Sequence, residues 1–224
     1  MNHDMTNIAY TPEYQAQRQK WAAVFAPENL QDTEEFTFEG GYALTRHNYF
    51  CKIEEYHITG SETIVVLEGE EIYRWRNTDN SGEFVELIRH SNGRSYLLFR
   101  IDLYGYGVFD LTDRKDFFYI PKVAETFIWT DVHYCPQSDM LAVDGCYWAC
   151  PNGVHLVEFS DPMRESTWVD VIKLLDGDYD TYDGAEFARW DGDALVVKAD
   201  RLLEQDGKWT TVPEEISIAR EKYF

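Results

Sequence analysis

Positive charge is scarce in this chain: 20 Lys and Arg stand against 41 Asp and Glu, for a formal net charge of -21. Such a balance repels phosphate backbones and anionic lipid, so neither nucleic acid nor a membrane surface is an expected partner. Apolar runs are short, and none approaches the length a membrane-spanning helix needs. Residues 1–11 lack the basic stretch and apolar core of an export signal, which makes a cytoplasmic location the expectation. Only four cysteines occur, Cys51, Cys135, Cys146 and Cys150. In a reducing compartment they are expected to pack as small hydrophobes and not to pair as disulfides.

Signatures of known chemistry are missing as well. There is no Gly-rich phosphate loop, no Gly-x-Ser-x-Gly elbow, no His-Glu-x-x-His and no Cys-x-x-Cys pair. No cofactor is implied. What the sequence does hold is aromatic residues, at 16% of the chain, and these types favour pleated, half-buried surfaces. At 224 residues the chain can bury a core large enough to need no disulfide or metal.

The first element expected is a helix over residues 11–25, with Thr11 as cap, Pro12 at the first helical position and Pro27 just beyond the end. Tyr14, Arg18, Trp21 and Phe25 fall on one stripe, so residues 1–34 are expected to form a helical strap that docks on the remainder. From residue 35 onward, short β-branched and aromatic runs alternate with turn clusters, the pattern of a mostly β domain spanning 35–224. Expected turns include Thr59-Gly60-Ser61, Asn80-Ser81-Gly82, Ser91-Asn92-Gly93 and residues 136–139.

Within that domain a unit recurs: a strand, a tight polar turn, a hydrophobic strand, an aromatic strand ending near Asp, and a fourth strand. Its clearest copy covers residues 127–175, an earlier one 83–120, a looser one 185–219, and a first copy would fill 35–76. Spacing between the turns matches a propeller blade better than a solenoid coil. Residues 132–145 (Val-His-Tyr-Cys-Pro-Gln-Ser-Asp-Met-Leu-Ala-Val-Asp-Gly), followed by His155 to Asp161, resemble a blade of the WD-repeat type, although the Gly-His and Trp-Asp signatures of that family are missing. That resemblance implies a β-propeller-like array of about four antiparallel four-stranded sheets, with one N-terminal helix, that binds partners on its faces.

The best copy also supplies the candidate site. Pairing Cys135 with Met140 around the turn sets His133 opposite Ala142, Asp131 opposite Asp144, and Trp129 opposite Cys146. Two like charges across a strand pair need a cation, a shared proton or solvent. Asp131, His133 and Asp144 are therefore candidate ligand-binding residues, with Trp148 as an exposed ring nearby. Polar groups that merely bridge neighbouring sheets would produce the same pattern. Two weaker constellations are His133, Cys135, Cys146, Cys150 and His155, whose types suit zinc, and Asp176, Asp178 and Asp180, whose alternation suits calcium. The calcium pattern has Thr181 where a helix-loop-helix site needs Gly and Phe187 where it needs Glu.

The function expected from these residues is a binding or scaffold module for a protein or a small polar ligand, with homo-oligomers possible through open sheet edges. The alternative is a hydrolase acting on a sugar or other neutral polar substrate, with Asp131 and Asp144 as the carboxylate pair.

Overall fold

A computed structural model of the chain describes residues 6–78, 84–122 and 125–223. The expected turn at Asn80-Ser81-Gly82 lies outside the described residues. Among the described residues the fold is mainly β, with four antiparallel sheets. Sheet I runs β1 (Leu30–Phe38), β2 (Tyr42–Ile53), β3 (Tyr56–Leu67), β4 (Glu70–Asn77). Sheet II runs β5 (Val85–Arg89), β6 (Ser95–Ile101), β7 (Gly105–Asp110), β8 (Lys115–Tyr119). Sheet III runs β9 (Ile128–Cys135), β10 (Met140–Cys146), β11 (Asn152–Glu158), β12 (Trp168–Asp170). Sheet IV has three strands, β13 (Tyr182–Asp191), β14 (Ala194–Gln205) and β15 (Lys208–Ile218). Strand order in each sheet follows chain order, as tight reversals between neighbours require.

Sheet IV corrects the expectation of four strands in every copy. Residues 208–218 form one strand, because β15 continues through Pro213 opposite Asp200. β15 is an edge strand, where a residue without an N–H breaks no ladder if that position faces outward. The expected turn at Thr59-Gly60-Ser61 is likewise a strand interior. A Cβ on Gly60 would approach Val24 Cγ1 to 2.8 Å, so the glycine serves close packing and not reversal. The actual reversal between β2 and β3 falls at Glu54 and Glu55, with Glu54 left-handed at φ 56°. Glu68, Asp178 and Asp206 are also non-glycine residues in the left-handed region, and all four are exposed acids.

Two compact units divide the chain: Met1–Leu87 with Leu97–Thr126, and Ile88–Tyr96 with Phe127–Phe224. In the first unit, Leu44, Val65 and Trp75 of sheet I pack against Leu97, Phe99, Phe109 and Leu111. Trp75 stacks on Phe99 at 4.1 Å and Tyr73 on Phe109 at 4.0 Å, which is why large aromatics dominate this core. The helix α1 (Pro12–Trp21) is shorter than expected and tightens into a 3-10 turn, Ala22–Phe25. Ala26 is extended, as a residue preceding proline tends to be, so the helix cannot pass it. The Thr11 hydroxyl accepts the Tyr14 N–H at 3.3 Å as the expected cap. Arg18 meets Asp102 at 2.8 Å and Tyr14 packs edge-on against Tyr104, so the stripe makes contacts although no helix residue is buried.

In the second unit, Met140, Ala142, Val154 and Leu156 of sheet III pack on Leu195, Val197, Ala199 and Ile218 of sheet IV. A 3-10 turn, Val171–Leu174, and Tyr223 close this core, with the Tyr223 hydroxyl donating to Asp193 O at 2.7 Å. No helix among the described residues is long and apolar enough to cross a membrane.

Candidate functional site

The β9–β10 hairpin has the expected register from Cys135 opposite Met140, through His133 opposite Ala142, to Asp131 opposite Asp144. Beyond that pair the register shifts by one residue, so Trp129 pairs with Gly145 and not with Cys146. A Cβ on Gly145 would come within 2.2 Å of Ile128 O, so the backbones approach at this irregularity as only glycine allows. Asp131, His133 and Asp144 therefore share one face on the irregularity's near side.

His133 lies between the two carboxylates. Its Nε2 is 2.9 Å from Asp144 Oδ2 and 3.7 Å from Asp131 Oδ2. The imidazole thus relieves the repulsion expected of two acids across a strand pair. Asp144 uses both oxygens, because its Oδ1 also accepts the Phe187 N–H at 2.9 Å. The Phe187 ring stacks on the imidazole at 3.9 Å and an interplanar angle of 10°. Trp190 Nε1 donates to His133 O at 3.1 Å, fixing the backbone beneath the ring. Because a carboxylate accepts at Nε2, that nitrogen carries a proton. Among the described residues Nδ1 has no hydrogen-bond partner. Side-chain exposure decides which members can meet a ligand: 53% for Asp131, 26% for His133 and 22% for Asp144.

Trp148 lies on the β10–β11 turn at 71% exposed and joins none of these contacts among the described residues. The structure brings Asp131, His133 and Asp144 together and leaves Trp148 apart. Asp178 begins a single helical turn, α2 (Asp178–Thr181), and its Oδ1 accepts its neighbour's N–H at 2.9 Å. Among the described residues no group of three or more His, Cys, Asp or Glu side chains is placed to hold a metal ion. All four cysteines are free; Cys135 is buried as expected, whereas Cys150 is exposed on the β10–β11 turn.

Two histidine clusters were not legible as such in the sequence. His155 is buried between the rings of Phe127, at 3.6 Å, and Trp168, at 4.3 Å, both nearly coplanar with it. Burial, helped by the nearby Lys173, pulls its pKa from 6.5 down to about 3. Strand β11 is buried continuously from Val154 to Val157, so no alternation singles out His155, and its two ring neighbours lie outside β11. His90 is the second. Its Nδ1 accepts the Asn92 N–H at 3.1 Å, so its Nε2 donates to Phe159 O at 2.8 Å. Beside it, Asp139 Oδ1 accepts from Ser91 Oγ and from the Tyr134 hydroxyl at 2.6 Å. Burial alone would raise the Asp139 carboxyl, but those two hydroxyls, with His90 and Arg220 nearby, hold it below the usual range. The Tyr134 hydroxyl is pushed up to about 12 by burial and by that carboxylate. Both nitrogens of His90 are committed to backbone, so this cluster fastens two hairpin turns and offers no open base.

No family model matches the sequence, and neither does any curated protein. Among solved structures, the chain is similar to the acylaminoacyl peptidase of Pyrococcus horikoshii (orthorhombic crystal form), with a TM-score of 0.38 and 11% identity over 86% of this chain. The match spans 33% of that protein's chain.

Proposed function

We propose that this chain is a binding module whose recognition site is the Asp131, His133 and Asp144 face, built on a propeller-like array of the four sheets. The array is inferred from the recurring hairpin unit and from sheets whose strand order repeats the chain order. Residues 35–224 would act as one domain, with residues 1–34 as its strap.

The observation that carries the proposal is the engagement of both Asp144 oxygens within the protein. With one oxygen on His133 and the other on the Phe187 N–H, it orients the imidazole. Asp144 is also the least exposed of the three, at 22%, which supports a positioning role over acid–base work, so the binding reading is favoured over the sugar hydrolase. What the face offers outward is the Asp131 carboxylate, 53% exposed, beside the edge of the His133 ring. An exposed carboxylate suits a donor-rich cation, such as a guanidinium or ammonium on a protein partner or a small polar ligand. The excess of acids over bases steers such a group toward the protein.

Tagged parent protein and the Asp131→Asn, His133→Ala double variant test this by recovery of bound protein and small molecules. A species held by the parent and lost from the variant is the expected result. Identical recoveries, together with glycoside hydrolysis that Asp131→Asn abolishes, would overturn the binding reading in favour of the enzyme.

A further inference from the structure

Two edge strands, β1 and β15, each open with six consecutive exposed residues. An exposed edge presents unpaired N–H and C=O groups to any extended chain, and proteins guard such edges with proline, irregularities or charge. β15 is guarded by Pro213 in its middle. β1 contains no proline over its nine residues, and its pairing with β2 is uninterrupted from Asp32 to Phe38. Its guard is charge of one sign: Asp32, Glu34 and Glu35, with no basic residue in the strand.

We propose that β1 is a docking edge for a basic, extended segment of a partner protein, which would join sheet I as a fifth strand. Charge decides the occupant. In an antiparallel pairing of β1 with β1 of a second copy centred on Glu34, that residue would face its own equivalent, and like charges directly opposite are unfavourable. A net charge of -21 adds general repulsion between copies. A strand carrying Lys or Arg instead places opposite charges at those positions while its backbone satisfies the edge.

The alternation of β1 also sets the pattern of the incoming strand. Asp32, Glu34, Phe36 and Phe38 share one face, shown by Glu34 lying 3.6 Å from Arg46 and by Phe36 and Phe38 packing on the first unit's core. Glu35 lies on the other face, where β2 sets Thr45 opposite it. An antiparallel partner would therefore read apolar, any, apolar, basic, basic, any, basic from its N-terminus. This edge lies apart from the His133 face in sequence and in unit, so either proposal can fail alone.

A fluorescent acetylated heptapeptide, Val-Thr-Ile-Lys-Lys-Thr-Lys-amide, is the probe, read by anisotropy with the full chain. It is expected to bind, with affinity falling about tenfold for Glu34→Lys/Glu35→Lys and by a smaller factor for Glu35→Lys alone. Glu35→Lys is the safeguard should the double variant disturb the Glu34 contact with Arg46. Two versions of the peptide, N-methylated at odd or at even positions, separate backbone pairing from charge attraction. Only one pattern should bind, because alternate N–H groups face the edge. Equal binding of both, no binding of the parent peptide, or concentration-dependent self-association that Glu35→Lys leaves unchanged would each overturn the proposal.

Discussion

Replacing His155 with Phe should make the protein less sensitive to mild acid. In the folded chain the imidazole sits between Phe127 and Trp168, with a pKa near 3, whereas in the unfolded chain it has its ordinary value of 6.5. The folded value is depressed, so the unfolded state binds the proton first and stability falls as pH drops below 6.5 toward the folded value. Each pH unit in that window removes about 1.4 kcal/mol per proton, and between about pH 7.5 and about pH 5 the accumulated loss is roughly 2 kcal/mol. Phenylalanine keeps a flat ring in the stack but has nothing to protonate. Urea unfolding of parent and His155→Phe at several pH values gives the assay, and the difference between the two stability curves cancels every other titrating group. The difference should narrow or reverse by roughly 2 kcal/mol toward the acid end. Parallel curves over that range would refute the account, since they would mean that the imidazole is protonated equally in both states.

Asp144→Asn should lower stability by about 1 to 2 kcal/mol, because a charge-assisted hydrogen bond becomes a neutral one. It should also invert His133: the amide NH2 then donates to Nε2 and the proton moves to Nδ1, which nitrogen-15 shifts of the imidazole would report; a proton that stays on Nε2 counts against the geometry. Gly145→Ala should cost at least about 3 kcal/mol or prevent folding, since its Cβ would meet a backbone oxygen that cannot move cheaply, whereas Gly192→Ala would meet open space and show only left-handed backbone strain. Calcium at millimolar concentration should shift the melting temperature by less than about 1 °C, given the absence of a metal-ready group among the described residues; a larger rise would reveal a site at residues 176–180.

The β9–β10 hairpin was legible because its register depends on one short turn and on alternation, both local properties of residues 128–146. Asp131, His133 and Asp144 could be placed on one face from that alone. Phe187 and Trp190 could not, since they arrive from β13 and no local pattern links them to His133. The shift after Asp144 was hidden for a related reason: Gly145 is needed by the contact it makes with Ile128, and a glycine in a strand does not say what approaches it. Gly60 misled in the opposite direction, as a turn former that serves packing against Val24. Pro213 inside β15 was not legible as a strand residue, because a single sequence does not say which strand will be last in its sheet.

Glu54, Glu68, Asp178 and Asp206 occupy backbone conformations that glycine enters without strain, and each carries an exposed acidic side chain, that of Glu54 paired with Lys20. Exchanging them for glycine would relieve local sterics while freeing the unfolded chain, two effects of similar size that nearly cancel. What would change is colloidal behaviour: exposed acids would vanish from the turns, among the points that meet a neighbouring molecule first. Acidity at those turns works as a spacer between molecules, independent of how firmly each one is folded.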